Sequence, residues 1–270
     1  MRRLILTAVC AVALSSTAQA APVIWVDDAS NAIGTVDVAT GVYTPVGNAG
    51  LPAGQGSLTD LAFSPTQQLY GINFSNLYSI STATGAATLI GATGSSAPVN
   101  GLVFGTDGTL YASGGANLYR IDVATGASTL IGSTGLAYAS AGDLAFLGGT
   151  LYETAVNTSG PASSYLLKVD PTNGAGTLIG TIVPDGLMYG LVDGGGTLYG
   201  VDSRTIYTID PVTGLGTALQ TYAAAGLLGA NGAAIPTEAL PVSAVPEPGT
   251  YALVLAGLGC LGWIARRRRR

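Results

Sequence analysis

A glycine-marked turn returns five times along this chain, and nothing else limits its fold so tightly. Gly41, Gly85, Gly126, Gly174 and Gly214 stand 44, 41, 48 and 40 residues apart. Each is followed three residues later by a threonine: Thr44, Thr88, Thr129, Thr177 and Thr217. Around them a longer unit recurs. It reads DLAFSPTQQLYGINFSNLYSISTATGAATLIGAT from Asp60 and GLVFGTDGTLYASGGANLYRIDVATGASTLIGST from Gly101. It returns as DLAFLGGTLYETA from Asp143, resumes as YLLKVDPTNGAGTLIGT, and appears again as GLVDGGGTLYGVDSRTIYTIDPVTGLGTALQT from Gly190. A partial copy, IGTVDVATGVYTPVG, ends at Gly47. A polar insertion at residues 156–164 accounts for the longest spacing. Internal periods of about 20–50 residues mark repeat architectures.

Each unit holds four short apolar runs separated by Gly, Asp, Asn, Ser and Thr. In the copy from Asp60 they fall at residues 61–63, 69–72, 77–80 and 88–90. These runs are too short and too closely bounded by turn residues to be helices. Four strands per unit at this period predict an all-β fold, a five-bladed β-propeller over residues 21–240. The first copy lacks an opening strand and starts at Val23-Ile24-Trp25-Val26. A surplus apolar segment, residues 227–235, follows the fifth copy, and its Asn231-Gly232 aligns with Asn100-Gly101. The expectation is that this segment supplies the innermost strand of the first blade, which removes free sheet edges. Repeats of the LYxID…TG…TLIG kind resemble those of several bacterial surface and periplasmic propeller families.

The two ends carry transport signals. Arg2 and Arg3 precede an apolar stretch at residues 4–14, and Ala18-Gln19-Ala20 offers the small residues that signal peptidase requires. Residues 1–20 therefore read as a cleavable signal peptide cut after Ala20. At the other end, residues 241–248 form a linker containing Pro246-Glu247-Pro248. An uncharged span at residues 249–265 follows, and then Arg266, Arg267, Arg268, Arg269 and Arg270. As a helix the span is ~25 Å long at ~1.5 Å per residue, slightly short of the ~30 Å hydrocarbon core. The positive-inside rule keeps the arginines cytoplasmic as a stop signal and everything before residue 249 outside. A Pro-Glu-Pro element, one hydrophobic span and a terminal basic cluster, in that order, resemble the PEP-CTERM domain of Gram-negative bacteria. The resemblance implies that an exosortase recognises Pro246-Glu247-Pro248 and removes the span. The protein then passes from an inner-membrane intermediate to the cell surface or extracellular matrix. A plain anchor that is never cut is the alternative.

Composition narrows the chemistry of the part between these signals. Only Arg120, Lys168 and Arg204 stand against fourteen acidic residues there, a net charge of −11. Such a surface does not seek nucleic acid, because counterion release needs lysines and arginines. Cys10 and Cys260 both lie in the end segments and the chain has no histidine. That excludes disulfides, thiolate nucleophiles, Ser-His-Asp arrangements and the usual zinc ligands.

The remaining candidates are few. Asp37, Asp122, Asp170 and Asp210, with Ser81 in the other copy, read as turn caps closed by the glycine four residues on. Asp60 and Asp143 open inner strands where the other copies have Gly101, Gly190 and Gly232. With Asn100 and Asn231 they form a possible ligand site at the central channel, the usual place for propeller ligands. Two carboxylates there could also serve glycoside cleavage. Asp27-Asp28 read as a turn and not as a ligand pair, since neighbours on a strand face opposite ways. No catalytic residue, cofactor or metal is assigned. The resulting expectation is a non-enzymatic binding or structural propeller. Its processing partners are exosortase and signal peptidase, and extracellular polysaccharide is a possible ligand. The alternatives are a glycoside hydrolase-like enzyme or a lectin.

Overall fold

The computed structural model describes residues 21–159, 163–183, 186–222 and 227–240. The expected signal peptide, the Pro246-Glu247-Pro248 element, the span at residues 249–265 and the terminal arginines lie outside the described residues. Ala21–Pro241 form a compact unit of their own.

Strands β1 (Val23–Asp28), β2 (Ala32–Asp37) and β3 (Tyr43–Asn48) begin the first sheet. The second contains β4 (Asp60–Phe63), β5 (Leu69–Ile72), β6 (Asn76–Ile80) and β7 (Ala87–Ala92). The third contains β8 (Gly101–Phe104), β9 (Leu110–Gly114), β10 (Asn117–Ile121) and β11 (Ser128–Ser133). The fourth contains β12 (Tyr138–Leu147), β13 (Thr150–Asn157), β14 (Ser164–Val169) and β15 (Gly176–Val183). The fifth contains β16 (Gly190–Asp193), β17 (Leu198–Val201), β18 (Thr205–Ile209) and β19 (Gly216–Thr221). β20 (Ala230–Ala234) then returns to the first sheet, whose order is β20-β1-β2-β3. This is the five-bladed propeller expected from the repeat, closed by the C-terminal strand. The clasp pairs Trp25 with Ala234, Val26 with Ala233 and Asp27 with Gly232.

The core is divided among the seams between blades. Among the described residues five buried apolar clusters occur, one in each seam. Every blade therefore buries both faces, which explains why the inner strands read as short continuous apolar runs instead of alternating ones. Burial falls from complete in β4 and β8 to partial in β7 and β11 at the rim. The seam between the fifth and first blades includes Leu227, Ala230, Ala233 and Ile235, so its core exists only with β20 in place.

Two backbone devices join neighbouring blades at the rim. In all five turns the glycine N–H donates to the carbonyl four residues before it, at 2.7–2.8 Å. All five glycines have positive φ, from 69° to 80°, where a side chain is strained. Each turn docks on the outer strand of the preceding blade. A Cβ on Gly47, Gly91, Gly132 or Gly180 would overlap the carbonyl of Thr84, Thr125, Asn173 or Thr213. The glycines of the TLIG and TG motifs are thus required in pairs because two backbones touch. At the closing seam Gln220 replaces glycine, and its Nε2 donates to the Thr40 carbonyl at 3.2 Å. A register shift between third and outer strands occurs in every sheet. Such bulges twist free edges away from pairing with other chains.

The repeated aspartates cap these turns. Hydrogen bonds from Thr40, Ala124, Thr172 and Val212 hold Asp37, Asp122, Asp170 and Asp210 below the usual carboxylate range.

Candidate site at the propeller axis

Asp60, Gly101, Asp143, Gly190 and Gly232, one from each inner strand, ring the axis, and each inner strand neighbours the next around a closed circle. Asp143 does not open its strand as expected, because β12 already begins at Tyr138. Space there is scarce. A Cβ on Gly101 would overlap the Ser113 hydroxyl, one on Gly232 would overlap Asp60, and one on Gly190 would stand 2.6 Å from the Ala233 Cβ. The ring therefore admits side chains from only two of the five positions, and Asp60 and Asp143 are those two. Neither has any exposed surface, so they do not line an open channel.

Their oxygens are occupied by backbone donors. Asp60 Oδ1 accepts from the N–H of Leu61 at 2.8 Å and of Ala233 at 3.2 Å, while Oδ2 accepts from Leu102 at 2.6 Å. This one carboxyl joins the second blade to the first and the third. Asp143 Oδ1 and Oδ2 accept from Leu144 and Leu191, both at 2.6 Å, and join the fourth blade to the fifth. The two carboxyls are neighbours at the axis, close enough to act on each other electrostatically. Burial pushes both well above the carboxylate range, and for Asp60 the neighbouring charge of Asp143 adds to it.

Asn100 and Asn231 perform a similar task one residue earlier. Asn100 Nδ2 donates to the Ser140 carbonyl and Asn231 Nδ2 to the Leu58 carbonyl, both at 3.1 Å. Each reaches the chain leading into the next blade. The Asn100 Oδ1 is buried and has no hydrogen-bond partner.

The structure adds a residue that sequence reasoning placed elsewhere. β1 continues through Asp28, so the turn expected at Asp27-Asp28 begins only after them. Asp28 serves that turn: its Oδ1 accepts from Ser30 and Ala32, and its Oδ2 accepts from the Leu228 N–H at 2.7 Å. Asp27 has no partner in common with it. It lies opposite Gly232, fully buried, and neither of its oxygens has a hydrogen-bond partner. The absent side chain of Gly232 leaves room for it. Asp27 Oδ1 lies 2.9 Å from where a Cβ on Gly232 would stand, and Asp60 Oδ1 lies closer still to that point. Burial, followed by the charge of Asp28, pushes the Asp27 carboxyl up to about 8.

Two more acids complete the axis. Glu153 on β13 is 2% exposed, bonds to Ser140, and is pushed up to about 8 by burial. Glu238 follows β20 and accepts from the backbone of Phe146 and Asp193, at the far ends of two inner strands. Burial raises it well above the ordinary glutamate value, and its Oε1 has no partner. Its segment is held by Gln67 Nε2, which donates to the Pro236 carbonyl at 2.7 Å, and by Ala239 in the seam between the second and third blades. Arg120, Lys168 and Arg204 are all exposed. Among the described residues no group of three acidic side chains is arranged to hold a metal ion.

A groove of about 460 Å³ lies between the third and fourth blades. It is lined by Tyr111, Arg120, Thr129, Leu130, Pro171 and Thr172 among others. Tyr111 packs edge-on against Phe146 of the next blade, at 5.6 Å between ring centres.

Residues 244–270 match the PEP-CTERM protein-sorting motif. No curated protein matches the chain. Among solved structures it is similar to a chain of a nidogen–laminin complex at 14% identity, covering 82% of each chain with a TM-score of 0.51. Virginiamycin B lyase from Staphylococcus aureus is 13% identical over 76% of this chain and 68% of the other, with a TM-score of 0.47. The gluconolactonase XC5397 from Xanthomonas campestris is 16% identical over 75% and 77%, also at 0.47. Likeness at these identities concerns the fold alone. The chain is thus a five-bladed propeller bearing a PEP-CTERM tail, the mark of an exported protein that exosortase sorts to the surface.

Proposed function

We propose that the propeller is a non-catalytic module, binding or structural, displayed at the cell surface or in the exopolysaccharide matrix once its tail has been removed. Signal peptidase acts after Ala20. The span at residues 249–265, stopped by Arg266 to Arg270, holds an inner-membrane intermediate for exosortase at Pro246-Glu247-Pro248. The observation that carries the non-catalytic reading is the state of Asp60 and Asp143. Both are fully buried, and their oxygens accept backbone N–H groups from their own strands and from neighbouring blades. Carboxyls used in this way hold a ring together, whereas a catalytic pair must reach a substrate. For a ligand, the groove beside Tyr111 and Arg120 offers an aromatic edge, a guanidinium and hydroxyls on an accessible wall.

A second reading, a glycoside hydrolase-like enzyme, has one observation in its favour. Asp27, Asp60 and Asp143 come from three different blades and gather at one level of the axis. Glycan-array binding by the purified Ala21–Pro241 unit, with and without calcium, together with polysaccharide hydrolysis assays, separates the two. Glycan binding or no ligand, without hydrolysis, is the expected result. Hydrolysis that disappears in a folded Asp27→Asn variant would establish the enzyme instead.

A further inference from the structure

We propose that the axis is a proton-dependent latch: the ring closes at the β1–β20 seam with Asp27 neutral, and that seam loosens as Asp27 ionises. The geometry is unusual in placing a fully buried carboxyl, both oxygens without partners, on the strand that the C-terminal clasp must grip. The ionisable groups that face it are all acidic. Asp28 is on its own strand and Asp60 on β4, with Asp143 on β12 beyond Asp60. Gly232, directly opposite on β20, contributes neither charge nor bulk. The basic residues Arg120, Lys168 and Arg204 are exposed, so among the described residues no lysine or arginine compensates the cluster.

An isolated buried carboxylate costs far more than its neutral form, so a closed seam holds the proton and an opened, hydrated one releases it. A proton on Asp27 also supplies a donor beside Asp60 Oδ1, which lies on the same side of Gly232. A metal ion is the less suitable occupant. Both oxygens of Asp60 and of Asp143 already accept backbone N–H groups, and the described acids do not form a metal-holding group. The consequence for the seam follows from linkage. Opening is favoured about tenfold more for each pH unit between the carboxyl value of the open state, about 4, and that of the closed state, about 8, and is constant above.

Hydrogen exchange measured by mass spectrometry on the Ala21–Pro241 unit, corrected for intrinsic rates, tests this between about pH 5 and about pH 9. Protection in β1 and β20 should fall by about tenfold per pH unit until about pH 8 and then level off. Asp27→Asn should reduce that dependence by one proton while leaving the strands protected. Peptides of β9 and β10 should depend on pH less steeply than the clasp. Infrared spectra provide a second readout: protonated carboxyl bands should disappear as pH rises through about 8, where Glu153 also titrates, and one of them should be missing from Asp27→Asn. Clasp protection that follows β9 and β10 at every pH, an unaltered slope in Asp27→Asn, or no such band would each overturn the latch.

Discussion

Replacing Gly132 with alanine should open one seam of the ring, and the cost follows from the contact it creates. The added methyl would stand 2.8 Å from the Asn173 carbonyl carbon and closer still to its oxygen. That carbonyl cannot turn aside. Its turn is fixed by the Gly174 N–H donating to the Asp170 carbonyl at 2.8 Å and by the Ala175 N–H donating to Asn173 Oδ1 at 2.8 Å. The fourth blade must therefore retreat by roughly 1 Å to restore ordinary carbon contact. Overpacking of this kind costs about 1–3 kcal/mol, and a rigid backbone neighbour puts the site at the upper end. Loss of glycine's freedom in the unfolded chain offsets about 0.4–1 kcal/mol. A net loss of about 2 kcal/mol lowers the melting temperature of a unit this size by about 4–8 °C. Thermal unfolding followed by circular dichroism measures it, with Leu89→Ala as a control, since Leu89 is 59% exposed on an equivalent outer strand. A Gly132→Ala protein that melts within about 2 °C of wild type would show that the blades do not dock as described.

Other perturbations probe separate parts of the structure. Ending the propeller before Leu227 removes β20 and the closing share of one seam core, so unfolding should become broad and early; an unchanged, cooperative melt would refute closure by the clasp. Stability should decline as pH rises from about 4 to about 8, because Asp27 and Glu153 are raised and the folded state holds protons that the unfolded chain releases. Urea unfolding at several pH values should show Glu153→Gln flattening that slope, and an unaltered slope would contradict its burial as an acid. The turn caps act with the opposite sign. Asp122 is held low, so its contribution is present above the unfolded value and lost as pH falls through the folded one; Asp122→Asn should lower the melting temperature at neutral pH and converge with wild type as pH falls below about 4.

The ring was legible because its signal repeats. Glycine and threonine in fixed phase marked the turn that each blade docks on its predecessor, and the alignment of Asn231-Gly232 with Asn100-Gly101 placed the clasp. Asp60 and Asp143 stood out because glycine fills the equivalent positions in the other blades. Their burial did not, since whether an axis is open or filled depends on how closely five strands approach. Asp27 was misread as part of a turn for a related reason. Its blade is assembled from both ends of the chain, so its register against Gly232 is a long-range fact that local turn chemistry cannot supply. The equivalents of Asp27 are Ile72, Ser113 and Val201, which share no chemistry that would have marked the position.

Mass spectrometry of the protein released to the cell surface, compared with a variant carrying alanine at Pro246, Glu247 and Pro248, tests the central claim most directly. The released wild type should yield propeller peptides but none from Tyr251 onward, and the triple variant should remain in the inner membrane. An intact C-terminus in released protein, or release unaffected by the three alanines, would contradict sorting through the PEP-CTERM tail.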